Sequence, residues 1–103
     1  MVNSLFILEP GYYKDGGFGI RIENVLLVHR VPTANNFGHV DYLGFEHVTW
    51  VPIQTKLIVK SLLNAEELHW INKYNQDCFD IVSPQLQKDE DAYLWLQRET
   101  RPI

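Results

Sequence analysis

The stretch Glu9-Pro-Gly-Tyr-Tyr-Lys-Asp-Gly-Gly-Phe-Gly-Ile-Arg-Ile-Glu-Asn24, residues 9–24, sets the reading of the whole chain. Its middle, residues 11–19, holds four glycines and an Asp-Gly pair. Such a run supplies the positive-φ positions of a turn or wide hairpin. An apolar run, residues 5–8 (LFIL), precedes it and is too short for a helix, so it reads as a strand. Residues 20–31 (IRIENVLLVHRV) follow it, β-branched and aliphatic up to Pro32, and read as the clearest strand in the sequence.

If residues 5–8 pair with residues 20–28, Glu9 and Glu23 meet at one end of the hairpin. Arg21 and Glu23 are two apart and project from one face of their strand. That face then holds two carboxylates and one guanidinium among Ile20, Ile22 and Val25. A buried carboxylate is costly unless it is paired or bound to a cation. Arg21 compensates one of the two, and the other asks for a metal or a second base. Carboxylate oxygens suit Mn²⁺ or Zn²⁺. An ordinary Arg-Glu pair on a solvated strand face accounts for the same spacing, so on these residues alone both readings stand.

Downstream, residues 33–44 are polar and turn-rich and read as a loop. Phe45, Val48, Trp50, Val51 and Ile53 suggest an extended segment, with Pro52 marking an edge or bend; residues 55–59 continue it. From Asn64 the period becomes helical. Asn64 and Glu67 form a capping-box pattern, with Glu66 and Glu67 at the positive end of the helix dipole. Leu68, Ile71, Tyr74 or Asn75, Cys78 and Val82 mark one buried stripe. Ser83-Pro84 reads as an N-cap with an N1 proline opening a second helix or as a kink inside one long helix, with the kink preferred, and a last helix covers about residues 90–99. The expected class is α+β: antiparallel strands over residues 1–60, then a helical extension over residues 61–103.

The 103 residues suit one small domain, 46% hydrophobic and 21% charged. Thirteen acidic against nine basic residues give a net charge of −4, without a basic cluster. That balance argues against nucleic acid as a partner. The opening MVNSLFILEP has no basic n-region and its apolar run is cut at Glu9-Pro10, so it reads as neither signal peptide nor membrane span. A lone Cys78 excludes an internal disulfide framework and fits a cytoplasmic chain. Cys78 reads as a small core residue. Three tryptophans and five tyrosines are a large apolar load for a chain this size, so some of them are expected to pack on a partner. Tyr12 and Tyr13 are expected to pack beside the hairpin. Asp77, Asp80, Asp89, Glu90 and Asp91 read as a solvated acidic face without an EF-hand glycine.

Glu9-Pro-Gly-Tyr-Tyr13 followed by Phe18-Gly-Ile-Arg-Ile-Glu-Asn24 resembles the final metal-binding segment of the pita-bread metallopeptidases, in their Xaa-Pro aminopeptidase branch. The likeness continues through Phe45-Glu46, Val51-Pro-Ile-Gln-Thr-Lys56, Trp70-Ile-Asn-Lys-Tyr74 and residues 95–103. It implies the C-terminal part of a pita-bread fold. In that family two divalent ions, commonly Mn²⁺, are held by two Asp, one His and two Glu, and the N-terminal residue is released from peptides with proline second. By this resemblance Glu9 is the first glutamate ligand, Glu23 is the second and bridges both metals, and Arg21 orients ligands beside the site. The two aspartates and the histidine belong to upstream sequence in the family. His29, His39, His47 and His69 do not match its ligand context and read as loop or surface residues. Two of five ligands imply that this chain by itself is inactive. The family uses this extension in dimer contacts, and the competing reading is a non-catalytic interaction or dimerisation module built on residues 64–87 and 90–99 through Trp70 and Trp95.

Overall fold

The computed structural model describes residues 3–103, so the reading of the first residues as neither signal peptide nor span lies in part, at Met1 and Val2, outside the described residues. Five strands come first: β1 (Leu5–Leu8), β2 (Gly11–Tyr13), β3 (Gly19–Arg21), β4 (Asn24–Val31) and β5 (Tyr42–His47). Two helices follow, α1 (Ala65–Val82) and α2 (Glu90–Glu99). By its contacts the chain divides into two compact units, Met1–Thr49 and Trp50–Ile103.

In the first unit β4 is the centre of an antiparallel sheet of order β1-β4-β5. Leu5 stands opposite Leu27 and Leu8 opposite Asn24, while Leu26 stands opposite His47 and Val31 opposite Tyr42. Asn24, Leu26 and Val28 are buried, and the alternate residues Val25, Leu27 and His29 are half-buried. A separate two-stranded ribbon pairs β2 with β3. The expected single strand over residues 20–31 is therefore two strands, and the expected glycine-rich connection contains β2. Pro10 is the reason for the break. Lacking an N–H, it cannot extend the β1 ladder as a donor, and its carbonyl instead accepts from Ile22 at 3.1 Å. The ribbon turns where Gly16 takes φ 66° and the Lys14 amide donates to the Phe18 carbonyl at 2.8 Å.

The expected extended segment starts inside β5, which takes residues 42–44 out of the expected loop, and past His47 the chain stays extended at Gln54, Ile58 and Val59 without forming a ladder. No strand follows His47 among the described residues, and residues 55–57 and 60–62 form single 3₁₀ turns. These turns close locally, as where the Ile58 amide donates to the Thr55 carbonyl at 3.0 Å, while the backbone of Val51 and Ile53 is met by a helix instead of a neighbouring strand. On α1, Asn75 accepts from the Ile53 amide at 2.8 Å and donates to the Ile53 carbonyl at 3.1 Å. Its side chain copies the exchange that a strand partner makes, and it is 1% exposed. One turn earlier, Asn72 makes the same two-bond clamp on the backbone of Ile103, at 2.9 and 3.2 Å. The Tyr74 hydroxyl donates to the Val51 carbonyl at 3.0 Å, and the Tyr74 ring stacks between Trp50 and Trp70.

The α1 start is the expected capping box: the Glu67 amide donates to Asn64 Oδ1 and the Asn64 amide to Glu67 Oε2, both at 2.9 Å. Ile71, Tyr74, Asn75 and Cys78 are buried, while Leu68 and Val82 at the stripe's ends are half-buried. The expected kink at Ser83-Pro84 is instead a stop. Pro84 has no amide to continue the helical ladder, and residues 83–85 tighten into a 3₁₀ turn. Asp89 then caps α2 by accepting from the Ala92 amide at 3.0 Å.

Cys78 is fully buried in the cluster with Ile53 and Tyr74. Burial holds its thiol pKa above the ordinary value. The unfolded chain therefore ionises this thiol first as pH rises, so its contribution to stability is complete below the ordinary thiol pKa and is lost as pH climbs through the raised one. Between about pH 8 and about pH 10 the urea midpoint falls more for the native sequence than for Cys78→Ala. Iodoacetamide labels Cys78 only once the chain unfolds; equal slopes for the two chains, or labelling at the native rate of a free thiol, would contradict this.

Candidate metal centre

Where the chain passes from the sheet to the ribbon, two strands break opposite each other. Leu8 and Asn24 are the last pair of the sheet, and Gly11 and Arg21 the first pair of the ribbon. Glu9-Pro10 on one strand and Ile22-Glu23 on the other fill the step between them. Glu9 and Glu23 thus come together, as the hairpin reading expects, at a switch between two ladders and not at the end of one. Arg21 joins them. Its Nη1 donates to Glu9 Oε2 at 2.8 Å and stands 4.0 Å from Glu23 Oε2.

The ribbon register explains how Arg21 is held. Gly11 and Tyr13 on β2 and Gly19 and Arg21 on β3 share one face. A Cβ on Gly11 would lie 2.6 Å from the Tyr13 hydroxyl oxygen, and one on Gly19 would lie 2.8 Å from Tyr13 Cδ1. The Tyr13 ring therefore lies along the two glycines, where only their missing side chains leave room. The Arg21 guanidinium is held protonated beyond its ordinary value, first by the Glu9 hydrogen bond and then by the phenol of Tyr13 and the charge of Glu9. On the opposite face Tyr12 stands across from Ile20, and its ring packs on Phe18 at 6.0 Å. Tyr12 packs as expected. Tyr13 does more than pack, and the glycine placed across from each large residue was the signal that could have shown it.

The expectation of a buried polar face needs correction. The side chains of Glu9, Arg21 and Glu23 are 45%, 48% and 53% exposed. Solvent screens these charges, so desolvation does not demand a cation here. The donor chemistry still fits one: two carboxylates open to solvent and directed at one positive atom are hard oxygen donors for a divalent ion. Among the described residues no group of three or more His, Cys, Asp or Glu is placed to hold a metal. The fit is that of a partial ligand set.

The histidines stand apart from the pair. His39 lies in the exposed β4–β5 loop and His69 on the exposed side of α1, as expected. His29 and His47 instead sit half-buried on β4 and β5, because the sheet extends over both. His47 Nδ1 lies 3.4 Å from Asn24 Nδ2. The acidic residues of the helices serve the helices. Asp77 pairs with Lys73 one turn back, Asp80 accepts from Gln76, and Asp89, Glu90 and Asp91 occupy the start of α2.

Residues 41–103 match the family model described as the C-terminal region of peptidase M24. The chain belongs to that family. Among relatives of this M24 C-terminal region, a Coprinopsis cinerea protein named "Probable Xaa-Pro aminopeptidase P" is 59% identical over 95 residues, 92% of this chain and 15% of its own length. "Aminopeptidase P1" of Lotus japonicus is 50% identical over the same share of this chain and 14% of its own. A span of 95 residues in a chain of 103 includes Glu9, Arg21 and Glu23 wherever it starts. The crystal structure of an X-prolyl aminopeptidase from Caenorhabditis elegans, described as a cytosolic enzyme with a di-nuclear active site, covers the whole chain at 34% identity and a TM-score of 0.82, with 17% of its own length. The M24 chain thus has the mixed strand-and-helix fold of the C-terminal part of a pita-bread enzyme, and it spans about 15% of the curated relatives it matches.

Proposed function

We propose that this chain supplies the C-terminal portion of a two-metal Xaa-Pro aminopeptidase, with Glu9 and Glu23 as two of its five metal ligands. The observation that carries the reading is the convergence of both carboxylates on Arg21 Nη1 across the ladder switch. Arg21 fixes the Glu9 carboxylate in one orientation, and Tyr13 along Gly11 and Gly19 limits where Arg21 can go. Glu23, farther from the guanidinium, is freer to serve two ions at once. Glu9 and Glu23 would hold two divalent ions, Mn²⁺ foremost and Zn²⁺ second, together with the remaining ligands, and the chemistry so supplied would be activation of water and polarisation of the carbonyl of the bond before proline. Peptides with proline second are the proposed substrates.

The likeness to a cytosolic neighbour supports a cytoplasmic location. No helix among the described residues is long and apolar enough to cross a membrane. Trp70 and Trp95, each about half exposed on α1 and α2, favour a second role of the helical unit as a contact surface in a dimer.

The test is a Mn²⁺ titration with a Gly-Pro-type peptide, run on the chain alone and on a fusion in which this chain replaces the matched segment of the Coprinopsis cinerea relative. Release of the N-terminal residue is expected from the fusion only. Turnover by the chain alone, or a folded fusion that binds Mn²⁺ and releases nothing, would sink the proposal.

A further inference from the structure

Glu23 lies between β3, which ends at Arg21, and β4, which starts at Asn24, so it belongs to neither strand. Its side chain is also the less firmly held of the two carboxylates. Glu9 is bonded to Arg21 at 2.8 Å, whereas Glu23 stands 4.0 Å from the same nitrogen. With so loose a hold on the side chain, the aim of the Glu23 carboxylate depends on where the backbone sets it. The two residues that follow Glu23 are gripped by the segment at the end of β5. Val25 accepts from the Val48 amide at 3.1 Å, as one member of a hydrogen-bonded antiparallel pair does. In such a pair the Val25 amide would return the bond to the Val48 carbonyl. It donates instead to the Thr49 hydroxyl oxygen at 2.8 Å. The last paired residue of β5 is His47, and beyond it a hydroxyl takes the carbonyl's place. Asn24 is buried and meets the same segment, with its Nδ2 3.4 Å from His47 Nδ1.

Resting on the functional reading above, we propose that Thr49 is a positioning residue of the metal centre: its hydroxyl fixes the backbone at Val25 and, through it, the reach of the Glu23 carboxylate toward the two ions. Threonine suits the task because two heavy atoms on Cβ make χ1 stiff, so the acceptor oxygen is held in place. Arg21 then steadies one carboxylate through its side chain, and Thr49 steadies the other through its main chain. A ligand shared by two ions has to present both oxygens at once, so a small shift of its backbone weakens the site without unfolding the sheet. Metal binding and the Val25–Thr49 bond are therefore coupled, and each strengthens the other by the same factor.

The experiment titrates Mn²⁺ calorimetrically into the fusion carrying Thr49→Val, Thr49→Ser, Tyr42→Phe or Glu23→Gln, and records kcat, KM and the Tm in EDTA for each. Tyr42→Phe is the structural control. The Tyr42 hydroxyl accepts from the Phe37 amide at 3.2 Å, at the other end of β5, so this variant also takes one hydroxyl acceptor from a backbone amide. Thr49→Val is expected to weaken Mn²⁺ binding about tenfold, the lower end of what losing a ligand's support costs. Its kcat falls and its KM stays. Thr49→Ser keeps the acceptor on a less restricted side chain and recovers most of the loss. Tyr42→Phe lowers Tm as Thr49→Val does and binds Mn²⁺ like the native sequence. Native Mn²⁺ binding by Thr49→Val overturns the inference, as does an equal weakening by Tyr42→Phe. If Glu23→Gln nonetheless loses an ion, the Glu23 reading stands; if it too binds like the native sequence, that reading falls as well. Should Thr49→Val not fold, hydrogen exchange in the native-sequence fusion decides, read by mass spectrometry on the peptides carrying Val25 and Phe37. Mn²⁺ is expected to slow exchange at Val25 relative to EDTA and to leave Phe37 unchanged. Equal exchange at Val25 in Mn²⁺ and EDTA overturns the inference.

Discussion

On the proposed assignment, Glu23→Gln in the fusion enzyme lowers turnover of a Gly-Pro-type peptide by more than about 100-fold, because the variant would lose a ligand itself and not merely a group that supports one. The amide keeps the size of the carboxylate and its place in the step just before β4, so the fold is expected to survive. What it removes is the charge and the second equivalent oxygen that two ions would share. Glu9→Gln acts in the same direction. Arg21→Met supplies a calibration, since Arg21 touches Glu9 at 2.8 Å and acts through it. Its expected loss is about 10–100-fold, the usual cost of removing a ligand's supporting partner. Measuring kcat and bound Mn²⁺ per chain for the three variants orders them. If Arg21→Met proves as damaging as Glu23→Gln while binding its full metal, the guanidinium has a direct role and the assignment of Glu23 loses its distinction.

The second large effect lies in the helical unit. Asn75→Ala removes both hydrogen bonds that hold Ile53 and leaves its amide and carbonyl beneath the Trp50–Tyr74–Cys78 cluster. An unmet buried backbone group costs about 1–3 kcal/mol, so two of them lower the unfolding free energy by about 2–6 kcal/mol. That is a large fraction of the roughly 5–15 kcal/mol typical of a domain. Asn72→Ala makes the same deletion at Ile103, where the groups are only part-buried, and water can replace the lost bonds. Its expected cost is about 0.5–1.5 kcal/mol. Urea unfolding of the two variants tests the contrast; equal midpoints would mean that the Ile53 clamp is not the deeper of the two.

Much of this was legible before any coordinates. The capping box at Asn64 and Glu67 is a contact between residues three apart, and the stripe through Ile71, Tyr74, Asn75 and Cys78 follows from helical period. The α2 span is equally local, whereas Asp89, read as part of a solvated acidic face, is its cap in the structure. Glu9, Arg21 and Glu23 meet because a glycine-rich turn closes a short hairpin. The failures share a cause as well. Residues 45–59 read as extended because Phe45, Val51, Ile53 and Val59 have strand propensity, yet only the part up to His47 finds a strand partner, and the Ile53 backbone is met by an asparagine on α1, more than twenty positions away. Ser83-Pro84 supports either a kink or a stop by local rules, and the second helix must form before the choice is visible.

The sequence by itself determined that residues 5–8 and 20–28 close a hairpin, that residues 65–82 and 90–99 are helical, that Asn64 and Glu67 cap the first helix, and which residues form the candidate site. Those features depend on φ preferences, short loops and period, which act over a few residues. Tertiary structure alone decided that the hairpin is two ladders with Glu9 and Glu23 at the step between them. It alone laid Tyr13 along Gly11 and Gly19 toward Arg21, and left the three charged side chains about half exposed. Those outcomes depend on register and on which surfaces find cover, and neither is written in any short stretch of the chain.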